Sequence, residues 1–179
     1  EYPDVPVKLK NNRLTWPLNM VTEMYSLPAY DGVDPNPLTA PFFILFYGIM
    51  MADMGYGILM ILASIIITKK SRPKGTSGQM FGLMFSCGIS TFIMGALTGG
   101  FFGDFLPQLA GIINPNTTFK ALPSLFTPLD DTITILIGAM ALGFVQIVTG
   151  MAISFVEKIK KGQIMDAVWE ELTLSLIHI

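Results

Sequence analysis

Residues 40–68 of this chain read APFFILFYGIMMADMGYGILMILASIIIT, 29 residues in which Asp53 is the one charged side chain. About 20 apolar residues cross the hydrocarbon core of a bilayer, whereas a soluble core has no need of so long a run. The charge opens a glycine-rich pentapeptide, Asp53-Met54-Gly55-Tyr56-Gly57. The stretch therefore predicts an integral membrane segment with an acidic, glycine-rich centre.

The composition points to the same class of protein. Hydrophobic residues make up 51% of the chain, charged residues 13%, and the net charge is −2. Soluble domains carry about 25% charged residues, so a soluble domain fits poorly and a disordered chain is excluded. No basic patch indicates nucleic acid. The single cysteine, Cys87, excludes a disulfide framework, and we interpret it as a small packing residue.

Two further apolar runs without charge follow the first stretch, and together the runs predict an all-α fold, a polytopic membrane helix bundle. We expect the chain to be a fragment of a longer protein, and whether Ser175–Ile179 is native sequence stays open. The predicted segments are a mostly irregular cytoplasmic or interfacial lead-in (1–39) with a short helix near 17–26, the first membrane stretch (40–68), a cytoplasmic basic loop (69–78), a membrane helix (79–102), an external loop (103–131), a membrane helix (132–156), a cytoplasmic loop (157–165) and the truncated start of another membrane helix (166–179).

The charges in the loops predict the topology. Loops rich in lysine and arginine stay cytoplasmic, which places residues 69–75 and 157–161 inside and residues 103–131 outside. For the first stretch two alternatives remain. A single long helix, kinked at its glycines, would put the lead-in outside; a hairpin with arms of about 15 residues would put it inside.

We favour the hairpin, with its turn at Gly55, Tyr56 and Gly57 within residues 54–57. A carboxylate at mid-membrane is costly, and the hairpin brings Asp53 to the outer surface, where most of that cost disappears.

Two acids that border apolar runs, Asp53 and Asp104, are candidates for an ion path. Each carboxylate either caps a helix end or faces the outer water, or it attracts cations into a water-filled vestibule. Both interpretations stay open at this stage.

Small residues recur near four-residue spacing in the second run. Such stripes allow close helix packing in lipid, although glycine is also common in membrane helices in general. We predict a helix-packing face formed by Gly82, Ser86, Ser90, Gly95, Gly99 and Gly103.

The chain lacks the motifs of an enzyme. Its one histidine, His178, cannot complete a catalytic triad, and no GxxxxGK[ST] phosphate loop is present. No cysteine and histidine spacing fits a metal. We predict no catalytic site, no metal and no cofactor in this chain.

Several motifs, in order, resemble one family: the membrane stator of V-type and archaeal-type rotary ATPases, called subunit I in prokaryotes and subunit a in vacuolar enzymes. The resemblance extends to about Trp169, and it rests on KLKNN (8–12), MVTEMYSLP (20–28), DPNP (34–37), APFF (40–43), DMGYG (53–57), CGIST (87–91), GDF (103–105) and ALGFVQI (141–147).

The resemblance implies a stator whose two aqueous half-channels face a rotating proteolipid ring and carry protons or sodium ions. It implies a missing cytoplasmic N-terminal domain that binds peripheral stalks and the soluble ATPase head, and a location in the plasma membrane of a bacterium or archaeon. The arginine that separates the half-channels would lie beyond residue 179. Asp53 matches the acidic position of the family's glycine-rich turn, which implies a role in the outer half-channel or in assembly. The competing interpretations are a membrane scaffold without an ion route and an unrelated secondary transporter.

Overall fold

The computed structural model describes residues 7–25, 27–28, 32–113, 122–125, 132–163, 165 and 168–169. These residues form no strand, so the predicted all-α fold is confirmed for the described part of the chain. A 3-10 turn, Trp16–Leu18, precedes the first helix. The helices are α1 (Asn19–Tyr25), α2 (Asn36–Met51), α3 (Met54–Ser71), α4 (Thr76–Thr98), α5 (Phe105–Ile113) and α6 (Thr132–Lys160).

Three of the described helices, α3, α4 and α6, are long and apolar enough to cross a bilayer. At 1.5 Å per residue they measure about 27, 35 and 44 Å, against a hydrocarbon core of about 30 Å. Helix α2 has 16 residues and is apolar but shorter. The molecule is therefore an integral membrane protein of helical architecture.

The chain divides into two compact units, 1–28 with 34–132 and 29–33 with 133–179. The first unit contains α1 to α5. The second contains nearly all of α6, whose side chains are largely exposed within the described structure, as expected of a helix that faces lipid or other helices. The predicted further helix at 166–179 lies mostly outside the described residues.

The first membrane stretch is broken into two helices at Ala52 and Asp53. Ala52 ends α2 in the left-handed conformation, φ 35°, and its N–H donates to the carbonyl of Gly48 at 2.8 Å. Asp53 is extended and begins α3 as its N-cap. The predicted position of the turn is wrong by two to three residues: Gly55, Tyr56 and Gly57 lie in the first turn of α3. An aspartate N-cap starts a helix at the next residue, so the glycines become helical.

Helices α2 and α3 pack against α4 in opposite directions. Near the start of α3, Gly57 faces Phe92, while further along Met60 and Ile61 face Gly88, so α3 runs antiparallel to α4.

On α2, Gly48 faces Ser90, and Ala52 accepts a hydrogen bond from Thr98, so α2 runs parallel to α4. Tyr47 Oη lies 3.7 Å from Met60 Sδ, across the two arms. The first membrane stretch is therefore a helical hairpin, and both of its helices, α2 and α3, pack against α4.

The lead-in packs at the end of this unit where α3 meets α4. Pro17 lies against Gly82, and the Trp16 ring lies near Gly78. Asparagine side chains hold it there: Asn19 Oδ1 accepts from Asn11 Nδ2 at 2.6 Å and from Asn36 Nδ2 at 2.7 Å. The lead-in therefore shares one end of the bundle with the basic loop 69–75, while the Asp53 turn lies at the other.

The predicted loop at 103–131 contains a helix, α5, directly after the turn that ends α4. Pro107 lies in the first turn of α5, where a backbone N–H has no acceptor within the helix. The missing N–H of proline therefore costs no hydrogen bond there. Helix α4 begins three residues before its predicted start at 79 and ends four residues before its predicted end at 102, whereas α6 extends four residues beyond its predicted end, to Lys160.

Candidate functional site

The Asp53 carboxylate accepts four backbone hydrogen bonds. Oδ1 accepts from Gly55 N at 2.8 Å, from Tyr56 N at 3.2 Å and from Phe102 N at 3.0 Å. Oδ2 accepts from Gly103 N at 2.8 Å. Asp53 is 7% exposed, so both oxygens are buried and occupied. We call this arrangement the Asp53 clamp: the carboxylate of Asp53 with the four N–H groups of Gly55, Tyr56, Phe102 and Gly103.

Local sequence explains half of the clamp. The first N–H groups of a helix have no partner within the helix, and an aspartate at the N-cap accepts from them. The positive end of the helix dipole also stabilises a negative charge at this place. Gly55 is required by space, because a Cβ on it would lie 2.6 Å from the Phe102 ring.

The other half of the clamp comes from the turn that follows α4. Phe102 and Gly103 both have positive φ, 48° and 64°, which turns their successive N–H groups toward the carboxylate. Consecutive backbone N–H groups arranged in this way form a nest that binds anions. Glycine takes up such a conformation without strain, whereas Phe102 does so at a cost of about 1 kcal/mol or more.

Backbone contacts reinforce the clamp on either side. Met54 N donates to Gly100 O at 2.9 Å, and Thr98 Oγ1 donates to Ala52 O at 3.1 Å. A Cβ on Gly95 would lie 2.3 Å from Met54 N and 2.8 Å from Asp53 Cα, so glycine alone permits this approach. The hairpin turn and the end of α4 are thus joined by side-chain and backbone bonds together.

Aromatic rings cover the clamp. The Tyr56 and Phe102 rings meet edge to face with centroids 5.2 Å apart, and Phe101 and Phe102 meet in the same way at 5.2 Å. The Phe102 ring lies against Gly55, while Tyr56 and Phe102 both keep part of their surface exposed.

Asp104, the second ion-path candidate, is placed differently. It is exposed, it follows the clamp residue Gly103, and it directly precedes α5. Its side chain makes no hydrogen bond or ion pair with the described residues. The structure therefore brings both acids to the same end of the bundle, one buried and fully bonded and the other exposed and unbonded.

The predicted small-residue stripe contacts several different elements. Gly82 faces Pro17 of the lead-in, Ser90 faces Gly48 of α2, and Gly95 faces the Asp53 turn. Ser86 donates to the carbonyl of Gly82 in its own helix. Gly99, in the left-handed conformation, ends α4 beside Ser124, and nothing lies within 4 Å of a Cβ built on Gly103.

Several close contacts were missed from the sequence. The asparagines of the lead-in are spaced like ordinary surface residues, yet Asn19 and Asn36 are buried. Gly88 faces Met60 and Ile61 and was not among the predicted packing residues. It lies seven residues before Gly95, which was predicted, and this spacing would have indicated the α3 contact.

Chemically, the clamp fixes a charge and a backbone position. A carboxylate that accepts four N–H bonds is stabilised in its ionised form and has little capacity left for a further ligand. No group of histidine, cysteine and acidic side chains among the described residues is arranged to hold a metal ion.

Residues 2–110, which include the lead-in, the hairpin, α4 and the clamp, match the V-type ATPase 116kDa subunit family. The chain belongs to this family. The resemblance seen in the sequence motifs is thereby confirmed.

Similar proteins carry names of the same kind. A-type ATP synthase subunit I of Methanocaldococcus jannaschii is 34% identical over 96% of this chain, and that of Pyrococcus horikoshii is 32% identical over 100%. V-type ATP synthase subunit I 2 of Treponema pallidum is 32% identical over 55%. The chain spans 28%, 26% and 22% of those relatives, about a quarter of their length. All three relatives are named as subunits of A-type or V-type ATP synthases.

Proposed function

We propose that this chain is part of the membrane stator of a rotary ATPase and helps to form the half-channels that carry protons or sodium ions past a rotating proteolipid ring. It couples ion movement to ATP hydrolysis or synthesis without a catalytic site of its own. Membership of the family carries this proposal. The partners are the proteolipid ring, the other membrane-sector subunits and, through a domain outside this chain, the peripheral stalks and the soluble ATPase head.

The location proposed is the plasma membrane of a bacterium or archaeon, with the Asp53 end outside. Two features support this orientation. The lead-in and the basic loop 69–75 lie at one end of the bundle, and basic loops stay in the cytoplasm. The Asp53 clamp lies at the opposite end.

In this proposal, Asp53 and Asp104 have different roles at the outer end of the bundle. Asp104 is exposed and unbonded among the described residues, so its charge is available to attract cations toward an entrance. Asp53 has both oxygens occupied by N–H groups, and it acts by holding the hairpin turn against the end of α4. It is a positioning residue for the outer half-channel, and a direct ion-carrying step at Asp53 would require the clamp to open.

The experiment uses the full-length protein in its intact complex, reconstituted into vesicles. Copurification with the proteolipid ring, and ion uptake from the Asp53 end driven by an imposed ion gradient and coupled to ATP synthesis, are measured for the wild type, D104N and D53N. We expect D104N to assemble normally and to lower uptake up to about tenfold at low salt, with a smaller effect at high salt, because steering by charge is screened. We expect D53N to reduce assembly.

A second candidate function is a membrane scaffold without an ion route, and the glycine-lined packing of α2 and α3 on α4 favours it. The same experiment separates the two. Normal uptake in D104N at every salt concentration, in a fully assembled complex, would support the scaffold. Failure to copurify with any proteolipid ring would contradict both. Loss of ion uptake in D53N with assembly intact would contradict the positioning role and would indicate that Asp53 takes part in ion movement directly.

A further inference from the structure

An open groove of about 690 Å³ lies between the lead-in, α3 and α4. It is at the end of the unit that carries the basic loop 69–75, well away from the Asp53 clamp. Its walls are mostly apolar, with aromatic side chains of Trp16, Phe81 and Phe85, and two cations, Arg13 and Lys69, line it as well.

The two cations are available to a ligand. Arg13 and Lys69 are exposed, and neither forms an ion pair with an acidic side chain among the residues that the structure describes. Lys69 stands in the last turn of α3, close to the predicted membrane surface. A groove that is apolar along its length and cationic at its mouth is complementary to an amphipathic anion.

Deeper in the groove lies a hydroxyl group that has no partner. Ser64 is 2% exposed, it lines the groove, and its Oγ makes no hydrogen bond within the described structure. A buried polar group without a partner is energetically unfavourable, so such groups usually meet a ligand or water. Ser64 precedes Lys69 by five residues, about 7–8 Å along the helix axis.

We propose that this groove binds one anionic phospholipid of the cytoplasmic leaflet. The phosphate lies between Arg13 and Lys69, and the hydroxyl of Ser64 donates to an oxygen of the glycerol backbone. An acyl chain follows Phe81 and Phe85 toward the centre of the bilayer. The spacing fits, because the glycerol oxygens of a phospholipid lie several ångströms deeper in the membrane than its phosphate. Basic pockets between membrane helices on the cytoplasmic side are suited to such headgroups.

The location also explains why a lipid is the occupant rather than a soluble anion. The mouth of the groove is beside the basic loop at the membrane surface, whereas its floor, between Ser64 and Ser86, lies within helices that cross the bilayer. A soluble phosphate would satisfy the cations and leave the aromatic walls exposed. A neutral lipid would cover the walls and leave the cations without a counter-charge.

The test is lipid binding to the intact complex, measured by native mass spectrometry after delipidation, with phosphatidylglycerol or phosphatidylcholine added back. We expect the wild type to retain phosphatidylglycerol in preference. The double variant R13Q/K69Q should need about thirty-fold more phosphatidylglycerol, from two lost charge contacts. The control K70Q/K74Q removes the same charge from the same end at side chains that do not line the groove, and it should bind as the wild type does. Equal losses in both double variants, or equal binding of the two lipids, would overturn the proposal.

A smaller change tests the deep contact. S64A should weaken phosphatidylglycerol binding about fivefold, through one lost hydrogen bond, while thermal stability of the delipidated complex stays the same or rises. Unchanged phosphatidylglycerol binding in S64A would contradict the proposed hydrogen bond between the Ser64 hydroxyl and the lipid.

A photoreactive benzoylphenylalanine at Phe85 identifies the occupant directly, with the same group at Ile93, an exposed α4 position outside the groove, as the control. A Phe85 adduct with the mass of an anionic lipid supports the proposal. A Phe85 adduct with a polypeptide segment would show that another part of the protein fills the groove.

Discussion

The carboxylate of Asp53 and the backbone N–H of Gly103, fifty residues apart in the chain, are joined by a hydrogen bond of 2.8 Å. This bond and its neighbour from Phe102 attach the α2–α3 turn to the end of α4. The single charge of the first membrane stretch is therefore held by backbone N–H groups, and no cation among the described residues pairs with it. The consequences can be tested by substitution.

Neutralising Asp53 should destabilise the bundle. D53A removes the acceptor of four N–H groups and should lower the free energy of unfolding by about 3 kcal/mol, while D53N keeps one acceptor oxygen and should cost about 2 kcal/mol. Thermal unfolding of the purified full-length protein measures both. The control D104N changes an exposed carboxylate without bonds to the described residues, and it should stay within about 0.5 kcal/mol. Equal effects of D53N and D104N would contradict the clamp.

Gly95 should not tolerate a side chain. In G95A the new methyl group would lie 2.3 Å from Met54 N, so α4 must move away from the hairpin turn, at a cost of about 3 kcal/mol. Thermal stability and the yield of assembled complex measure this loss. The matched control is G111A in α5, where nothing lies within 4 Å of a Cβ and the substitution should be neutral or slightly stabilising. A G95A protein as stable as G111A would contradict the close approach.

The buried asparagines should anchor the lead-in to α2. The Asn36 side chain donates to Asn19 Oδ1 at 2.7 Å and accepts from the hydroxyl of Thr22. N36A removes one of the two bonds to Asn19 Oδ1, which keeps its bond from Asn11, and takes the acceptor away from the part-buried Thr22 hydroxyl. We therefore expect a loss of about 1–2 kcal/mol and faster proteolysis of the lead-in. The control N12A alters an exposed asparagine whose side chain makes no such bond. Lead-in cleavage at the wild-type rate in N36A would show that the asparagine bonds do not hold the segment.

The hairpin predicts which surfaces react from which side of the membrane. Single cysteines replace Leu14, Ser71 or Tyr56, all exposed, in the full-length protein without its other cysteines. An impermeant thiol reagent should label L14C and S71C from the cytoplasmic side and Y56C from the opposite side, because the lead-in and the basic loop share one end of the bundle. Labelling of L14C and S71C from different sides would mean that the first stretch crosses the membrane once.

Much of this architecture could be predicted from the sequence, since it depends on local composition. Residues 79–102 and 132–156 were predicted as membrane helices; α4 contains the first up to Thr98, and α6 contains the whole of the second. The hydropathy of a segment and the charge of a loop both depend only on residues that are neighbours in the chain, so both can be calculated from the sequence. The family motifs are likewise local strings, and the match over residues 2–110 agrees with them.

The positions of the breaks were harder to predict. The glycines at 55 and 57 suggested a turn, but they serve close helix contacts, with Phe102 and Phe92. The turn is instead formed by Ala52, a residue with no sequence preference for its left-handed conformation. Strain of that kind is accepted only when the surrounding contacts compensate for it, and those contacts lie far along the chain.

By itself, the sequence determined that this is an all-α membrane protein of the V-type ATPase 116kDa subunit family, with basic loops and an acidic glycine-rich stretch. Only the tertiary structure decided what Asp53 does, because its partners at Phe102 and Gly103 are brought to it by the packing of α3 on α4. The same holds for Asn19 and Asn36, which look like surface residues in sequence and are buried in the fold. Local composition fixes which segments leave water, while the partner of a buried polar group depends on which distant segments can approach it closely.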